Sequence, residues 1–375
     1  MLKFYLIGIL CYCLLLWLMA RTWPKAVKSL ELPKSKIPIS LVIACRNEAL
    51  RVPSLVSQIR NLDYPYLEVI LVDDHSEDQT FDLLTAELEG EEHVKILRGV
   101  GVGKKTAISQ AVSIASGELI LCTDADCNWP QDWLETLMAP FSDPKIQLVA
   151  GPVLCEENEQ FLSKFQKIDW LSILMVSNFA IQKERPIMCS AANMMYRKTA
   201  FEKVNGYSGN EKYWSGDDEF LLKKMVSHFG PEAIQYLPFQ QSLVKTQAES
   251  NWSSLFNQRI RWAGKWKAHE SSFHILSAFL PFLMQLFWIS SFVLLTLDWE
   301  GGMIFLAVWG IKIVGEALAF GRITRSLNTP LSLSNLILTS FIHPFYVLGI
   351  GIGLIRGKYS WKGRKNLALS KIEKT

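Results

Sequence analysis

The seven cysteines, at 11, 13, 45, 122, 127, 155 and 189, include no CxxC pair. An odd, scattered set of this kind is neither a disulfide framework nor a metal site. Cys45 and Cys122 close apolar runs, where cysteine behaves as a small hydrophobe. That usage points to reduced thiols in a cytosolic compartment. Net charge is equally scarce, at +3 over 375 residues. With no long basic stripe interleaved by aromatics, the sequence argues against a nucleic-acid partner. No G-x-G-x-x-G follows the first strand-like run, which disfavours a dinucleotide-dependent oxidoreductase. The stretch GVGVGKKT (99–106) fails as a P-loop, because Arg98 stands where the first glycine belongs and Lys105 where Ser or Thr belongs. Internal repeats and low-complexity tracts are absent as well.

Apolar residues are present at 49%, but unevenly, concentrated in 4–20 and again from 275 to 355. The first run, FYLIGILCYCLLLWLMA, has about the length needed to cross a bilayer. It passes directly into Arg21, Trp23, Pro24 and Lys25 without a small-x-small cleavage site, so it reads as an anchor rather than a signal peptide. Lys3 alone precedes it, whereas Arg21, Lys25 and Lys28 follow, which orients the downstream chain to the cytoplasm. Three more apolar segments lie near 275–297, 303–320 and 331–355. Asp298 and Glu300 separate the first two, in the manner of an out-and-back hairpin. Lys312 and Glu316, four apart, are placed to pair on one helix. Pro344 falls in the middle of the third segment, and Arg356, Lys358, Lys362, Arg364 and Lys365 follow it. A re-entrant or interfacial hairpin broken at Pro344 would keep both its ends inside.

Between 37 and 240 the pattern is that of a soluble α/β protein. Strands are expected at Ile39–Cys45, Leu67–Val72, Val94–Leu97, Glu118–Cys122 and Ile146–Ala150. Helices are expected near 49–61, 77–89, 103–116 and 130–139. Such alternation implies a parallel sheet flanked by helices, with ligands beyond the carboxyl ends of the strands. Three of those ends carry polar clusters: Arg46-Asn47-Glu48, Asp73-Asp74-His75-Ser76 and Thr123-Asp124-Ala125-Asp126. Any one alone reads as a helix cap; three together point to a site. Asp124 and Asp126, at i and i+2, offer hard oxygen ligands suited to Mg²⁺ or Mn²⁺ on a diphosphate. Lys104 opens a helix, either to meet a phosphate or as a solvated lysine. The apolar helix at 161–181 suits a buried core face and a membrane surface equally.

The runs ISLVIACRNE, VDDHSEDQT, GKKTAISQAVSIASGELILCTDAD, SAANMMYRKTAFEKVNGY, SGDDEFLL and QRIRWAGKW, in this order, resemble the membrane-bound family 2 glycosyltransferases. The resemblance covers 38–268 and implies an α/β fold of the GT-A, Rossmann-like type, with an N-terminal transmembrane helix and C-terminal membrane helices. It implies an anchor at 1–24, a catalytic domain at 37–245, an interfacial helix with the QRxRW motif at 246–272, membrane helices at 273–356 and a basic cytoplasmic tail at 357–375. By resemblance Glu48, Asp74, Lys104, Asp124 and Arg261 bind the donor, Asp126 holds the metal, and Asp218 is the catalytic base. Asn193, Asp217 and Trp262 are assigned to the acceptor. Asp217-Asp218 replaces the family's more usual Glu-Asp, and Ala191 stands where glycine is common. The implied enzyme sits in the inner membrane, multi-pass, with its catalytic domain cytoplasmic. It moves a sugar by inversion from a nucleotide-sugar, UDP-linked by family default, to a lipid or lipid-linked acceptor. A processive polysaccharide synthase and a non-catalytic nucleotide-binding scaffold are the alternatives.

Overall fold

The structure, a computed structural model, describes residues 2–24, 36–210, 215–264, 272–356, 360–361 and 364–365. The chain divides into two compact units, one formed by residues 26–156 and 176–247, the other by 1–25, 157–175 and 248–375. Residues 157–175, within the expected 37–245 domain, therefore group with the apolar helices. Most of the expected basic tail lies outside the described residues.

The first unit is built on a seven-stranded sheet. Its strands are β1 (Ile39–Cys45), β2 (Leu67–Asp73), β3 (Val94–Arg98), β4 (Leu119–Asp124), β6 (Leu148–Ala150), β8 (Met194–Arg197) and β9 (Ile234–Tyr236), in the order β3-β2-β1-β4-β8-β6-β9. β1 and β4 are near-continuous apolar runs because helices cover both faces of a parallel sheet. Helix α2 (Val52–Arg60) shows how that cover arises: Val52, Leu55, Val56 and Ile59 recur at helical spacing and are buried, and a proline in the first turn starts the helix. Helices α3 (Thr80–Glu87), α4 (Lys104–Ile114) and α5 (Trp133–Met138) follow. The five strands expected from sequence run parallel to one another, but β8, which was not expected, lies antiparallel between β4 and β6 and makes the sheet mixed. A smaller sheet joins β5 (Cys127–Asn128), β10 (Val244–Thr246) and β7 (Val153–Cys155). Helices α7 (Lys198–Lys203) and α8 (Asp217–Phe229) complete the unit.

Register fixes what lies at the carboxyl edge. Ala44 pairs with Val72 on one side and with Asp124 on the other, and Cys45 pairs with Asp73. Arg46–Glu48, Asp73–Ser76 and Asp124–Asp126 therefore leave the sheet side by side.

The second unit holds α1 (Leu2–Arg21), the start of α6 (Phe161–Gln182), α9 (Trp252–Ala263), α10 (Ser272–Ser290), α11 (Trp299–Ser326) and α12 (Leu333–Arg356). Among the described residues, four stretches are long and apolar enough to cross a membrane: Lys3–Arg21, Phe279–Thr296, Trp299–Ser326 and Leu333–Arg356. Tyr5, Ile9, Trp288, Phe305, Val308 and Trp309 form one core, joining α1, α10 and α11. Phe165, Leu162, Leu255 and Tyr346 form another, so the apolar start of α6 packs against α9 and α12.

Lys312 and Glu316 pair as their spacing suggests, Nζ to Oε1 at 2.7 Å, and Tyr12 of α1 donates to Glu316 at 2.7 Å. The expected break at Pro344 does not occur, and α12 runs through it. Proline supplies no N–H to the carbonyl four residues earlier, which here is that of Ser340. The Lys312 ammonium donates to this freed carbonyl at 3.2 Å, so the helix continues with its backbone satisfied.

Candidate active site

At the end of β1, Glu48 is buried and its Oε2 lies 3.1 Å from Arg51. Arg46 donates to the Asp74 carbonyl at 2.9 Å and to Glu77 at 2.9 Å, stitching the loop after β1 to the loop after β2. Asp74 is also buried, and its Oδ1 accepts from the Gly103 N–H at 2.8 Å. Gly103 has φ +106°, open to glycine and strained for other residues, and it caps α4. Asp74 thus fixes the turn that delivers Lys104.

Lys104 reaches the end of β4. Its Nζ lies 2.6 Å from Asp124 Oδ1 and 2.8 Å from Asp217 Oδ2. Burial alone would favour the neutral amine, but Asp124 and Asp217 hold Lys104 protonated well above its usual range. Burial raises the Asp124 carboxyl, Lys104 pulls it down, and Asp126 and Asp217 push it up, leaving it above the usual carboxylate range. Asp126 accepts from Thr246 Oγ1 at 3.2 Å and lies 3.4 Å from Arg51. Glu48, Arg51, Asp126 and, separately, Asp124, Lys104, Asp217 make two linked sets at one sheet edge: four carboxylates against two cations. Two negative charges are in excess, an arrangement that favours a divalent cation.

Asp124, Asp126 and Cys127 have ligand atoms within 4.8 Å of one another. Burial, then Asp126 and Asp124, push the Cys127 thiol well above its usual range, so it stays protonated and the two carboxylates are the natural ligands. Both reach solvent, at 36% and 28% exposure for Asp124 and Asp126. Their hard oxygen chemistry fits Mg²⁺ or Mn²⁺.

Gly216, at φ +94°, starts α8 and sets Asp217 and Asp218 in its first turn. Asp218 is partly exposed, and its Oδ1 accepts from the Glu219 N–H at 2.6 Å. Asn193 is different. It is fully buried, donates to the carbonyls of Pro152 (2.8 Å) and Ser242 (2.6 Å), and accepts from Trp133 Nε1 at 2.9 Å. Both amide hydrogens and the carbonyl are engaged with protein, which holds β8 to the neighbouring loops.

Arg261 and Trp262 lie on α9, in the unit with the apolar helices, both partly buried. In that unit Arg259 makes a buried ion pair to Asp169 at 2.8 Å, and His343 lies 3.2 Å from the same carboxylate. Burial would raise the Asp169 carboxyl, but Arg259 and His343 hold it below its usual range. One face of the Trp262 ring is covered by the Arg259 guanidinium at 4.2 Å.

Sequence reasoning did not single out Arg51, Thr246 or Asp169. The i, i+3 spacing of Glu48 and Arg51 after a strand end was a usable signal, as was a lone aspartate within the apolar 161–181 helix, since a buried charge needs a partner. Nothing local marks Thr246.

The family Glycosyl transferase family 2 matches residues 40–204. Over 234 residues the chain is 26% identical to the poly-beta-1,6-N-acetyl-D-glucosamine synthase of Staphylococcus epidermidis, covering 60% of this chain and 53% of that protein. The same-named protein of Staphylococcus aureus (strain COL) is 25% identical over the same length and shares. The chain thus spans about half the length of the curated relatives it matches. Among solved structures, a mannosyltransferase from Pyrobaculum calidifontis, in complex with GDP-Man and Mn²⁺, superposes with a TM-score of 0.55 at 16% identity, covering 97% of this chain and 100% of that one. The motif order, the sheet that carries it and the match over 40–204 agree: residues 40–204 form a Glycosyl transferase family 2 domain of GT-A fold, in a chain that also bears apolar helices of membrane-spanning length.

Proposed function

We propose that the chain is a metal-dependent, inverting transferase that takes a sugar from a nucleoside diphosphate donor to a lipid or lipid-linked acceptor at the cytoplasmic face of the membrane. The observation that carries this reading is the gathering of carboxylate at the end of β4, where the partly exposed Asp124 and Asp126 stand with Glu48 and Asp217 around the cations Arg51 and Lys104. Asp124 and Asp126 would hold Mg²⁺ or Mn²⁺, which supplies charge neutralisation for the departing diphosphate. Glu48 and Asp74 sit at the adjoining strand ends, where the nucleoside is assigned. Asp218 takes the proton of the acceptor hydroxyl as its oxygen bonds to the anomeric carbon and the bond to the diphosphate breaks. Arg261 and Trp262 are assigned to the diphosphate and the acceptor sugar by family resemblance alone.

Sidedness has independent support. Arg322, near the end of α11, donates to the carbonyl of Trp23 at 2.6 Å and to that of Arg21 at 3.4 Å. The ends of α1 and α11 therefore share a side, and both are cationic, which favours the cytoplasm.

The Staphylococcus relatives favour a second reading, processive addition to a polysaccharide. One experiment addresses both. Purified protein in lipid is offered a panel of UDP- and GDP-sugars with Mn²⁺ or Mg²⁺, then with chelator, and products are sized. Metal-dependent turnover with a single added sugar supports the first reading; a ladder of long products supports the second. No metal-dependent turnover or nucleotide binding overturns both. Asp218→Asn is expected to lower kcat by about 10²–10⁴-fold with nucleoside diphosphate binding retained; wild-type activity in this variant removes Asp218 as the base.

A further inference from the structure

The start of a helix carries partial positive charge, so a lysine in the first turn is disfavoured unless something compensates it. Lys104 opens α4. Its compensation comes from two carboxylates on different elements, Asp124 at the end of β4 (2.6 Å) and Asp217 at the start of α8 (2.8 Å). Arg51 does the same for the other half of the pair, 3.4 Å from Asp126. Both carboxylates assigned to the divalent cation thus already face a side-chain cation.

We propose that Lys104 is a positioning residue that occupies the Asp124 carboxylate until a divalent cation takes it, and that ties this strand end to the helix start bearing Asp218. The inference rests on Asp124 and Asp126 being the cation site. Its consequence is competition. An ammonium and a divalent cation drawn to one carboxylate repel each other, so the arrival of one loosens the other. Released from Asp124, Lys104 keeps Asp217, and the first turn of α8 stays charge-balanced with Asp218 in place. A lysine that served only to grip the donor phosphate would not need the second carboxylate.

The test is Mn²⁺ binding to the full-length, nucleotide-free protein in detergent, followed by electron paramagnetic resonance of the free ion, together with donor kinetics. At separations of a few ångströms, loss of one competing positive charge strengthens a divalent ion by about tenfold even in the dielectric of water. Lys104→Met is therefore expected to bind Mn²⁺ about tenfold more tightly. Its kcat should fall by about 100-fold as the helix start loses its tie, with donor KM little changed. Lys104→Arg, which keeps the charge, should bind Mn²⁺ like the wild type and recover part of kcat. If Lys104→Met does not melt cooperatively, Lys104→Gln carries the same measurements and expectations. Unchanged or weaker Mn²⁺ binding in the uncharged variant, or unchanged kcat, overturns the proposal. So does a raised donor KM with unchanged Mn²⁺ affinity, which would make Lys104 a direct diphosphate ligand. Wild-type protein that binds no Mn²⁺, with Asp126→Asn indistinguishable from it, would instead overturn the underlying cation site.

Discussion

Replacing Lys312 with methionine removes two interactions at once, and Pro344 separates them. The ammonium pairs with Glu316 at 2.7 Å and also donates to the Ser340 carbonyl at 3.2 Å, which Pro344 leaves without its helical N–H. Breaking a buried ion pair from one side costs about 3–5 kcal/mol. The lower end applies here, because Tyr12 at 2.7 Å and the Ser340 hydroxyl continue to donate to Glu316. The orphaned Ser340 carbonyl adds about 1–3 kcal/mol. Lys312→Met alone is therefore expected to destabilise the protein by about 4–6 kcal/mol. Pro344→Ala restores the missing N–H, so in the Lys312→Met background it should recover about 1–2 kcal/mol, whereas in the wild type, where the carbonyl already has a donor, its effect should be small. The assay is a double-mutant cycle on cooperative unfolding in detergent, followed by tryptophan fluorescence, since Trp288 and Trp309 flank the Lys312 ammonium at 5.3 and 5.2 Å. Additivity within about 0.5 kcal/mol would refute the idea that Lys312 substitutes for the donor that proline lacks.

Asp169→Asn leaves the Arg259 guanidinium buried without its counter-charge and should cost about 3 kcal/mol. The folded carboxyl lies below its usual range, so the contribution is full above about pH 4 and lost only as pH falls through the depressed value. The stability gap between Asp169→Asn and wild type, measured in a His343→Ala background, should accordingly be flat from about pH 5 to 8; a gap that changes across that window would show the source is elsewhere. Asn193→Ala takes the side-chain partner from the Ser242 carbonyl and the Trp133 indole N–H, each worth about 1–3 kcal/mol when buried, while the Pro152 carbonyl keeps the Val244 N–H. Its melting temperature should drop while the surviving folded protein keeps the wild-type acceptor KM; a raised acceptor KM at unchanged melting temperature would support its acceptor-site assignment instead.

The strands that build the site edge were legible because β1, β2 and β4 are largely apolar runs whose ends change abruptly to Arg46, Asp73 and Asp124. Parallel neighbours in register must bring those ends together, so the gathering of carboxylates needed no knowledge of side-chain packing. β8 escaped for the opposite reason. Its four residues, MMYR, are too few to show a period, and their antiparallel direction depends on a chain return that begins at the buried Asn193. Polar residues posed the harder problem. Asn193 and Asp218 lie in equally suggestive motifs, yet one spends every hydrogen bond on the protein and the other is partly exposed at a helix start. Lys104 shows the same limit from the cationic side, since its partners Asp124 and Asp217 are distant in sequence and meet only through the fold. Pro344 is the mirror case: locally it signals a break, and the residue that cancels the signal, Lys312, sits on another helix. A letter reports what a side chain can bond to, while burial and the nearest opposite charge decide what it does bond to, and both are set by elements far away in the chain.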